Sequence, residues 1–156
     1  MGVYQIVKDG DPVLREKAKV IKEVTASTLR LLDNLKDTLH STSNGVGLAA
    51  PQIGISKRAI VVETEEDGLL EMVNPEILSC EGQAEDWEGC LSCPGLEGVV
   101  PRATKISVRY LDRAGECQKL LAQDFLARII QHEVDHLEGV LFIDKAHSIN
   151  QEHQQK

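Results

Sequence analysis

His-Glu-Val-Asp-His-Leu-Glu-Gly, residues 132–139, sets both the architecture and the chemistry expected of this chain. Two histidines four residues apart on a helix project from the same face, one turn above each other. His132 and His136 can therefore bind one metal ion, with Glu133 beside it as a general base. A catalytic ion of this kind needs a third protein ligand from elsewhere in the chain.

The octet ends a predicted amphipathic helix that runs from about Gln123 to Glu138. Apolar residues recur along this helix at helical spacing, at Leu126, Ile129, Ile130 and Leu137. Gly139 follows, where a glycine commonly ends a helix. Much of the helix should therefore be buried, and a buried histidine pair needs polar partners or an ion.

Upstream of this helix the sequence predicts one more helix and then mainly strands. The first helix begins after Thr25 or Ser27 and ends before Asn44. Extended segments are predicted at 58–63, 71–73, 76–93 (with a bend or bulge marked by Gly82 and Gly89), 106–110 and after the turn at 112–115. This order predicts an α+β fold with mixed or antiparallel β-sheets packed around the long C-terminal helix.

Composition and charge are those of an ordinary folded domain. The chain has 156 residues, of which 42% are hydrophobic and 27% charged. A formal net charge of -8 opposes non-specific binding to nucleic acid and to anionic membranes. There is no signal-peptide pattern and no apolar stretch long enough for a bilayer. We therefore expect a cytoplasmic location and reduced cysteines.

The third metal ligand is expected upstream of the octet. A histidine at position 142 would complete the metzincin pattern, but that residue is Phe142, and downstream Glu152 lies in a polar tail. The segment Glu-Gly-Cys-Leu-Ser-Cys-Pro, residues 88–94, offers Cys90. Its thiolate would be a soft ligand for a transition metal.

Other roles for Cys90 stay open at this point. It could be a small buried hydrophobe, or half of a redox pair with Cys93, although Pro94 opposes the helix that such pairs use. The two cysteines and two histidines could also close a structural zinc site. If the segment is extended, side chains at 90 and 93 point to opposite faces, which favours a single cysteine ligand.

Residues 45–52 read Gly-Val-Gly-Leu-Ala-Ala-Pro-Gln and predict a loop of small residues. The pattern matches a dinucleotide fingerprint, but that fingerprint follows a strand and opens a helix. Here a predicted helix precedes the segment and Pro51 interrupts it, so a loop packed against a neighbouring element is favoured. Gln52 carries an amide that can donate a hydrogen bond to a developing oxyanion.

Together the segments 45–52, 88–92 and 132–139 resemble the three signature motifs of the peptide deformylases, in their order and at their usual separations. The resemblance extends from the N-terminus to about Ile143. It implies a single catalytic metallohydrolase domain over residues 1–144, followed by a polar tail, 145–156, that is frayed or partly helical. The implied activity removes the N-formyl group from the formyl-methionine of nascent peptides and releases formate. The resemblance also implies a transient contact with the ribosome. It implies neither a membrane partner nor a specific nucleic-acid partner.

The resemblance also implies roles residue by residue. One divalent ion, usually Fe²⁺ with Ni²⁺, Co²⁺ or Zn²⁺ able to substitute, would be bound by Cys90, His132 and His136. Glu133 would transfer the proton, and the Gln52 amide and the Leu91 backbone N–H would stabilise the oxyanion. The substrate would contact Gly45, Val46, Gly47, Glu88, Gly89, Phe125 and Ile129.

The chain departs from the common pattern of this family at two places. An aliphatic residue is common where this chain has Arg128; its stem could line the methionine pocket while the guanidinium reaches solvent or Asp86. Many bacterial members carry an arginine where this chain has Glu97 and Gly98. Both departures bear on substrate preference and affinity rather than on hydrolysis.

Two other functions compete with this interpretation. A zincin-like endopeptidase is disfavoured because its usual third ligands are missing from the sequence. A zinc-stabilised binding module would use two cysteines and two histidines, would be inactive and would unfold on chelation. An open catalytic site with three protein ligands distinguishes the hydrolase from that module.

Overall fold

Two antiparallel β-sheets and two long helices make up residues 2–151, the part of the chain that the computed structural model describes. The strands are β1 (Gly47–Ala49), β2 (Ala59–Thr64), β3 (Gly68–Glu81), β4 (Ala84–Cys90), β5 (Cys93–Arg102), β6 (Lys105–Leu111), β7 (Cys117–Gln123) and β8 (Ser148–Gln151). The helices are α1 (Ala26–His40), α2 (Asp124–Leu137) and the one-turn α3 (Phe142–Lys145), with 3-10 turns at Pro12–Arg15 and Ala50–Ile53.

The larger sheet has the order β1-β2-β3-β6-β7 and the smaller one the order β4-β5-β8. Neighbouring strands in both sheets are antiparallel. The chain passes from the larger to the smaller sheet at Gly82, whose φ of +72° suits glycine. The predicted α+β class with antiparallel sheets and a late helix is confirmed. No helix in the described part of the chain has both the length and the apolar character to cross a membrane.

The larger sheet lies between the two long helices, because strand β2 is apolar on both of its faces. Ile60 and Val62 face the cluster that contains α2, and Ala59 and Val61 face the cluster that contains α1. The α1 residues in this core are Leu31, Leu32, Leu35 and Leu39, and those of α2 include Ile129, Ile130 and Leu137. Each such side chain contributes about 1.5–3 kcal/mol by leaving water.

The first helix matches its prediction closely. It begins at Ala26, with Thr25 as the N-cap, and ends at His40, before Asn44. Segment 45–54, predicted as loop and extended chain, contains the short strand β1 and a 3-10 turn. The small residues Gly47, Ala49 and Ala50 allow β1 to lie buried against β2 and α2.

The tail differs from its prediction of frayed or partly helical chain. Ser148–Gln151 forms strand β8, which pairs with Leu96–Val99 of β5. The unpaired backbone groups at that edge of β5 give the tail a partner, which a sequence pattern does not reveal. Gly98 permits the approach, because a Cβ there would lie 2.8 Å from the carbonyl oxygen of Ser148. Residues 152–156, including Glu152, are outside the described residues.

Candidate metal centre and active site

Three potential metal ligands, contributed by strand β4 of the smaller sheet and by helix α2, lie close together. Cys90 ends β4, and His132 and His136 lie on α2. One ligand atom from each lies within 4.8 Å of the other two, and Cys90 Sγ is 3.4 Å from His136 Nε2. Ligands bonded to one tetrahedral ion are separated by about 3.4–3.7 Å, given bonds of about 2.0–2.3 Å. The donor set therefore fits one transition-metal ion.

Only one of the two neighbouring cysteines belongs to this cluster in the described chain. The prediction that Cys90 and Cys93 point to opposite faces of one extended segment is wrong. The chain reverses between these two residues, and they pair across a hairpin. Cys93 is instead 3% exposed and packs with Val100, Leu141 and Phe142. The coordination sphere is therefore open, as a catalytic site requires, and not closed by four protein ligands.

The two histidines differ in their surroundings. His132 Nδ1 lies 2.9 Å from the Glu88 carboxylate, which fixes the ring and leaves Nε2 for an ion. Burial lowers the pKa of His132, but the hydrogen bond to Glu88 and the negative charges of Glu133 and Glu88 together outweigh it, and the net pKa is raised. Burial and the nearby His132 hold the pKa of His136 well below its usual value. His136 is thus neutral and able to donate its lone pair.

Contact with Cys93 and burial raise the pKa of the Cys90 thiol well above its usual value. Its thiolate therefore needs a nearby positive charge, which a divalent cation supplies. The hydrogen bond from the Ser92 backbone N–H to Cys90 Sγ, at 3.4 Å, favours the same thiolate. A thiol and two imidazoles that converge in this way favour binding of a divalent ion.

Glu88 is the centre of a buried group of charges behind His132. Arg102 donates two hydrogen bonds of 2.9 Å to its carboxylate and one of 2.6 Å to Asp135 on α2. Burial raises the pKa of Glu88, but the hydrogen bonds from His132 and Arg102 outweigh it and lower that pKa to about 2. Glu88 is therefore ionised, and it holds the ring of His132 in place.

Arg128 lines the cavity described below, as predicted, but its guanidinium does not take the predicted position. Its guanidinium donates to Glu88 Oε2 at 2.6 Å and to the carbonyls of Val100 and Ala84 at 2.9 Å each. It reaches neither solvent nor Asp86, because the buried carboxylate offers a stronger partner than an exposed one. The positive charge of Arg128 is thus neutralised inside the protein.

Glu133 lies beside the ligand cluster as predicted. It is 4% exposed, and its Oε1 has no hydrogen-bond partner among the described residues. Burial raises its pKa to about 7, and the nearby His132 opposes this shift. A carboxyl group that changes protonation near neutral pH can accept and return a proton. Its other oxygen, Oε2, lies against the backbone of Gly47.

Gln52 presents its amide N–H₂ group to the same cluster. Oε1 accepts from the Ala49 backbone N–H at 3.0 Å, and Nε2 donates to Ser92 Oγ at 3.2 Å and to Cys90 Sγ at 3.6 Å. The contact with Ala49 fixes which end of the amide faces Cys90. Ser92, the last residue of the 88–92 motif, was not assigned a role from the sequence; its hydroxyl two residues after Cys90 was the available signal. Leu91 lies in the hairpin turn, and the role of its N–H remains a prediction.

A cavity of about 150 Å³ opens beside the ligand cluster. Five of the predicted substrate residues line this cavity: Val46, Glu88, Gly89, Phe125 and Ile129. Trp87, Arg128 and His132 line it as well. Gly45 and Gly47 do not line it. Gly45 packs against Leu39 and Thr42, where a Cβ would clash, and Gly47 makes room for Glu133. The mouth is apolar, since Trp87 and Phe125 are 47% and 57% exposed.

Comparison with known proteins gives one consistent family. The family model described as polypeptide deformylase matches residues 3–152. A peptide deformylase of Carboxydothermus hydrogenoformans is 54% identical over 149 residues, 96% of this chain and 97% of that protein. One of Halothermothrix orenii is also 54% identical, over 97% of this chain and 99% of the relative.

Solved structures agree with these sequence relatives. The peptide deformylase of Thermotoga maritima superposes with a TM-score of 0.89 at 37% identity, over 94% of this chain and 99% of that one. A class I type b peptide deformylase of Acinetobacter baumannii, crystallised with Met-Ala-Ser bound, gives 0.88 at 38% identity, over 93% and 100% of the two chains.

Proposed function

The chain belongs to the polypeptide deformylase family, and from this premise we propose roles for the residues around its metal site. The activity of this family, hydrolytic removal of the N-formyl group from newly made peptides, is the function of this chain. The observation that carries the assignment of roles is the convergence of Glu133 and Gln52 on the cluster of Cys90, His132 and His136.

We propose that the native ion is Fe²⁺ and that Ni²⁺, Co²⁺ or Zn²⁺ can replace it. A thiolate with two imidazoles is compatible with all four ions. When bound, the ion supplies a Lewis acid that acidifies water and polarises the formyl carbonyl. Metal analysis of protein purified without oxygen would identify the native ion, and recovery of Zn²⁺ alone from such protein would contradict the assignment of iron.

Glu133 is proposed as the group that moves the proton. With a pKa near 7, its carboxylate can take a proton from the attacking water and return it to the amine that leaves. Its unpartnered, buried Oε1 is free to bind that water. The side chain of Glu133 is buried, so bulk solvent has little access to the group that carries the proton.

Gln52 and Leu91 are proposed to stabilise the negative charge that develops on the formyl oxygen. The Gln52 amide is held from behind by the Ala49 N–H, so its own N–H group is oriented before substrate binds. A donor fixed in advance lowers the barrier because it does not reorganise during the reaction. The Leu91 backbone N–H is the second donor by its position directly after Cys90 in the hairpin turn.

The methionine side chain of the substrate is proposed to enter the 150 Å³ cavity. Val46, Trp87 and Phe125 give its mouth an apolar surface of the kind that binds an unbranched thioether chain. Support comes from the Acinetobacter baumannii relative, whose structure contains Met-Ala-Ser, a peptide with methionine at its first position. The residues that follow methionine would leave through this apolar mouth.

A direct assay tests the proposed roles. The protein is loaded anaerobically with Fe²⁺ or Ni²⁺, and formate release from formyl-Met-Ala-Ser is measured against the same peptide without the formyl group. Formate release and no cleavage of the unformylated peptide are expected, since a peptidase would act on both. Absence of formate release in every metal form would contradict the proposal.

We propose further that the protein acts in the bacterial cytoplasm, with a transient contact at the ribosome where formylated chains emerge. Curated relatives are bacterial, and the substrate class arises during protein synthesis. Cosedimentation with ribosomes that carry short nascent chains tests the contact, with ribosomes stripped of nascent chains as the control.

A further inference from the structure

Arg128 connects helix α2 to both strands of the hairpin formed by β4 and β5. It lies one helical turn before His132, and its side chain is 11% exposed. Its guanidinium donates to Glu88 and to the carbonyl of Ala84 on β4, and to the carbonyl of Val100 on β5. A lone aliphatic residue at 128 could make none of these three contacts.

The proposed metal ligands are divided between the same two elements that Arg128 joins. Cys90 belongs to the hairpin, and His132 and His136 belong to α2. A metal–ligand bond tolerates only about 0.2 Å of displacement, so affinity depends on how firmly the hairpin is held against the helix. Arg102 makes a reciprocal connection from β5, through its 2.6 Å hydrogen bond to Asp135 on α2.

Arg128 is one of two arginines that bind the buried carboxylate of Glu88. Arg102 is the other, and it also binds Asp135, which has a further partner in the exposed Lys145. Without Arg128, the Glu88 carboxylate would lose one of its charged hydrogen bonds in a dry environment, which is costly and distorts the geometry around it. The carboxylate affected is that of Glu88, which orients His132 at 2.9 Å.

We propose that Arg128 is a positioning residue for the metal centre. It fixes the spacing between Cys90 and the two histidines by binding the hairpin to α2, and it holds Glu88 against His132. The proposal rests on the ligand set proposed above. Its test measures metal affinity, so its outcome does not depend on whether the protein hydrolyses formyl peptides.

The side chain of Arg128 has two parts, and one substitution separates them. Its stem lines the cavity proposed for methionine, while the guanidinium contacts the hairpin. Methionine at this position keeps an apolar stem of similar length and removes the guanidinium. R128M should therefore leave the cavity wall in place and affect the metal centre.

The experiment compares the wild type with R128M, E88Q, the double variant R128M/E88Q and R109M. Arg109 is the matched control, because it is exposed and pairs with Glu76 on the larger sheet. Circular dichroism first shows whether each purified protein is folded. Each folded protein is then titrated with Zn²⁺ in competition with a chromophoric chelator. The absorption spectrum of the Co²⁺ form reports the geometry around the thiolate.

R128M is expected to weaken Zn²⁺ binding by about 10–100-fold, the range typical of residues that support metal ligands. Its Co²⁺ spectrum should change, and R109M should match wild type throughout. In the double variant the two effects should combine to less than their product, since Arg128 acts partly through Glu88.

A folded R128M with wild-type Zn²⁺ affinity and an unchanged Co²⁺ spectrum would overturn the proposal, as would full additivity with E88Q. If R128M does not fold, R128Q replaces it, since glutamine is polar but lacks the charge and the length of arginine. The same weakening of Zn²⁺ binding is then expected. R128M could bind Zn²⁺ more weakly while no protein, wild type included, releases formate. That result would support the role of Arg128 and contradict the proposed function.

Discussion

The backbone of Gly47 lies directly against the carboxylate of Glu133. A Cβ at position 47 would be 2.7 Å from Glu133 Oε2 and 2.9 Å from Ile129 Cγ2. A real Cβ essentially never lies this close to a neighbouring side chain, so any side chain at 47 would displace the proposed proton carrier. A glycine at position 47 is therefore required for the position of Glu133 on α2, although the two residues are far apart in the sequence.

G47A is expected to fold and bind metal, and to lose about 10²-fold in kcat, because a small misplacement of a catalytic group has that scale of effect. Steady-state kinetics of the metal-loaded variant check this. The matched comparison is G89A, whose Cβ would meet nothing closer than the Leu96 carbonyl at 3.5 Å. G89A should affect KM more than kcat, because Gly89 lines the substrate cavity. Equal kcat in G47A and wild type would contradict the role of this close contact.

E133Q should keep its metal and lose several orders of magnitude in turnover. The amide is nearly the same shape as the carboxyl group but cannot accept the proton, and general acid–base groups contribute about 10²–10⁴-fold. Metal content by atomic emission and kcat with formyl-Met-Ala-Ser are the two measurements. A variant that retained metal and wild-type kcat would exclude Glu133 as the proton carrier.

Local signals in the sequence predicted most of the site, whereas contacts between distant segments were beyond it. The spacing of His132 and His136 sets their common face on a helix, so the pair was predictable from the sequence alone. The pairing of Cys90 with Cys93 was not, because it depends on a chain reversal at two residues without glycine or proline. The partner of Arg128 depends on the distance between α2 and the hairpin, which no local pattern encodes.

The tail shows the same limit. Residues 148–151 have no strong strand pattern, and they form β8 because β5 presents an unpaired edge beside Gly98. Strand β5 itself was assigned no element from the sequence, since Pro94, Gly95 and Gly98 weaken its strand signal. Pairing with β4 overrides that weak local preference.

C93S should retain its metal and lose stability. Cys93 is outside the ligand cluster and is buried among apolar side chains. The one polar neighbour of a serine hydroxyl there is the Cys90 sulfur, a weak acceptor, and a poorly satisfied buried hydroxyl costs about 1–3 kcal/mol. Urea unfolding and metal content of the purified variant are the measurements, with C80S at an exposed cysteine as the control. Loss of metal in C93S would instead indicate the closed four-ligand site.

Acid should destabilise the protein through Glu88. Its pKa is about 2 in the folded protein against an ordinary 4.5, so the folded state binds the proton less tightly than the unfolded chain does. Stability from this group is therefore complete above about pH 4.5 and is lost as pH falls towards 2. The loss between pH 7 and pH 3 is about 2 kcal/mol, from the linkage of proton binding to folding. Urea unfolding at several pH values should show a shallower acid dependence in E88Q than in wild type. Parallel curves for the two proteins would mean that other carboxylates control acid stability.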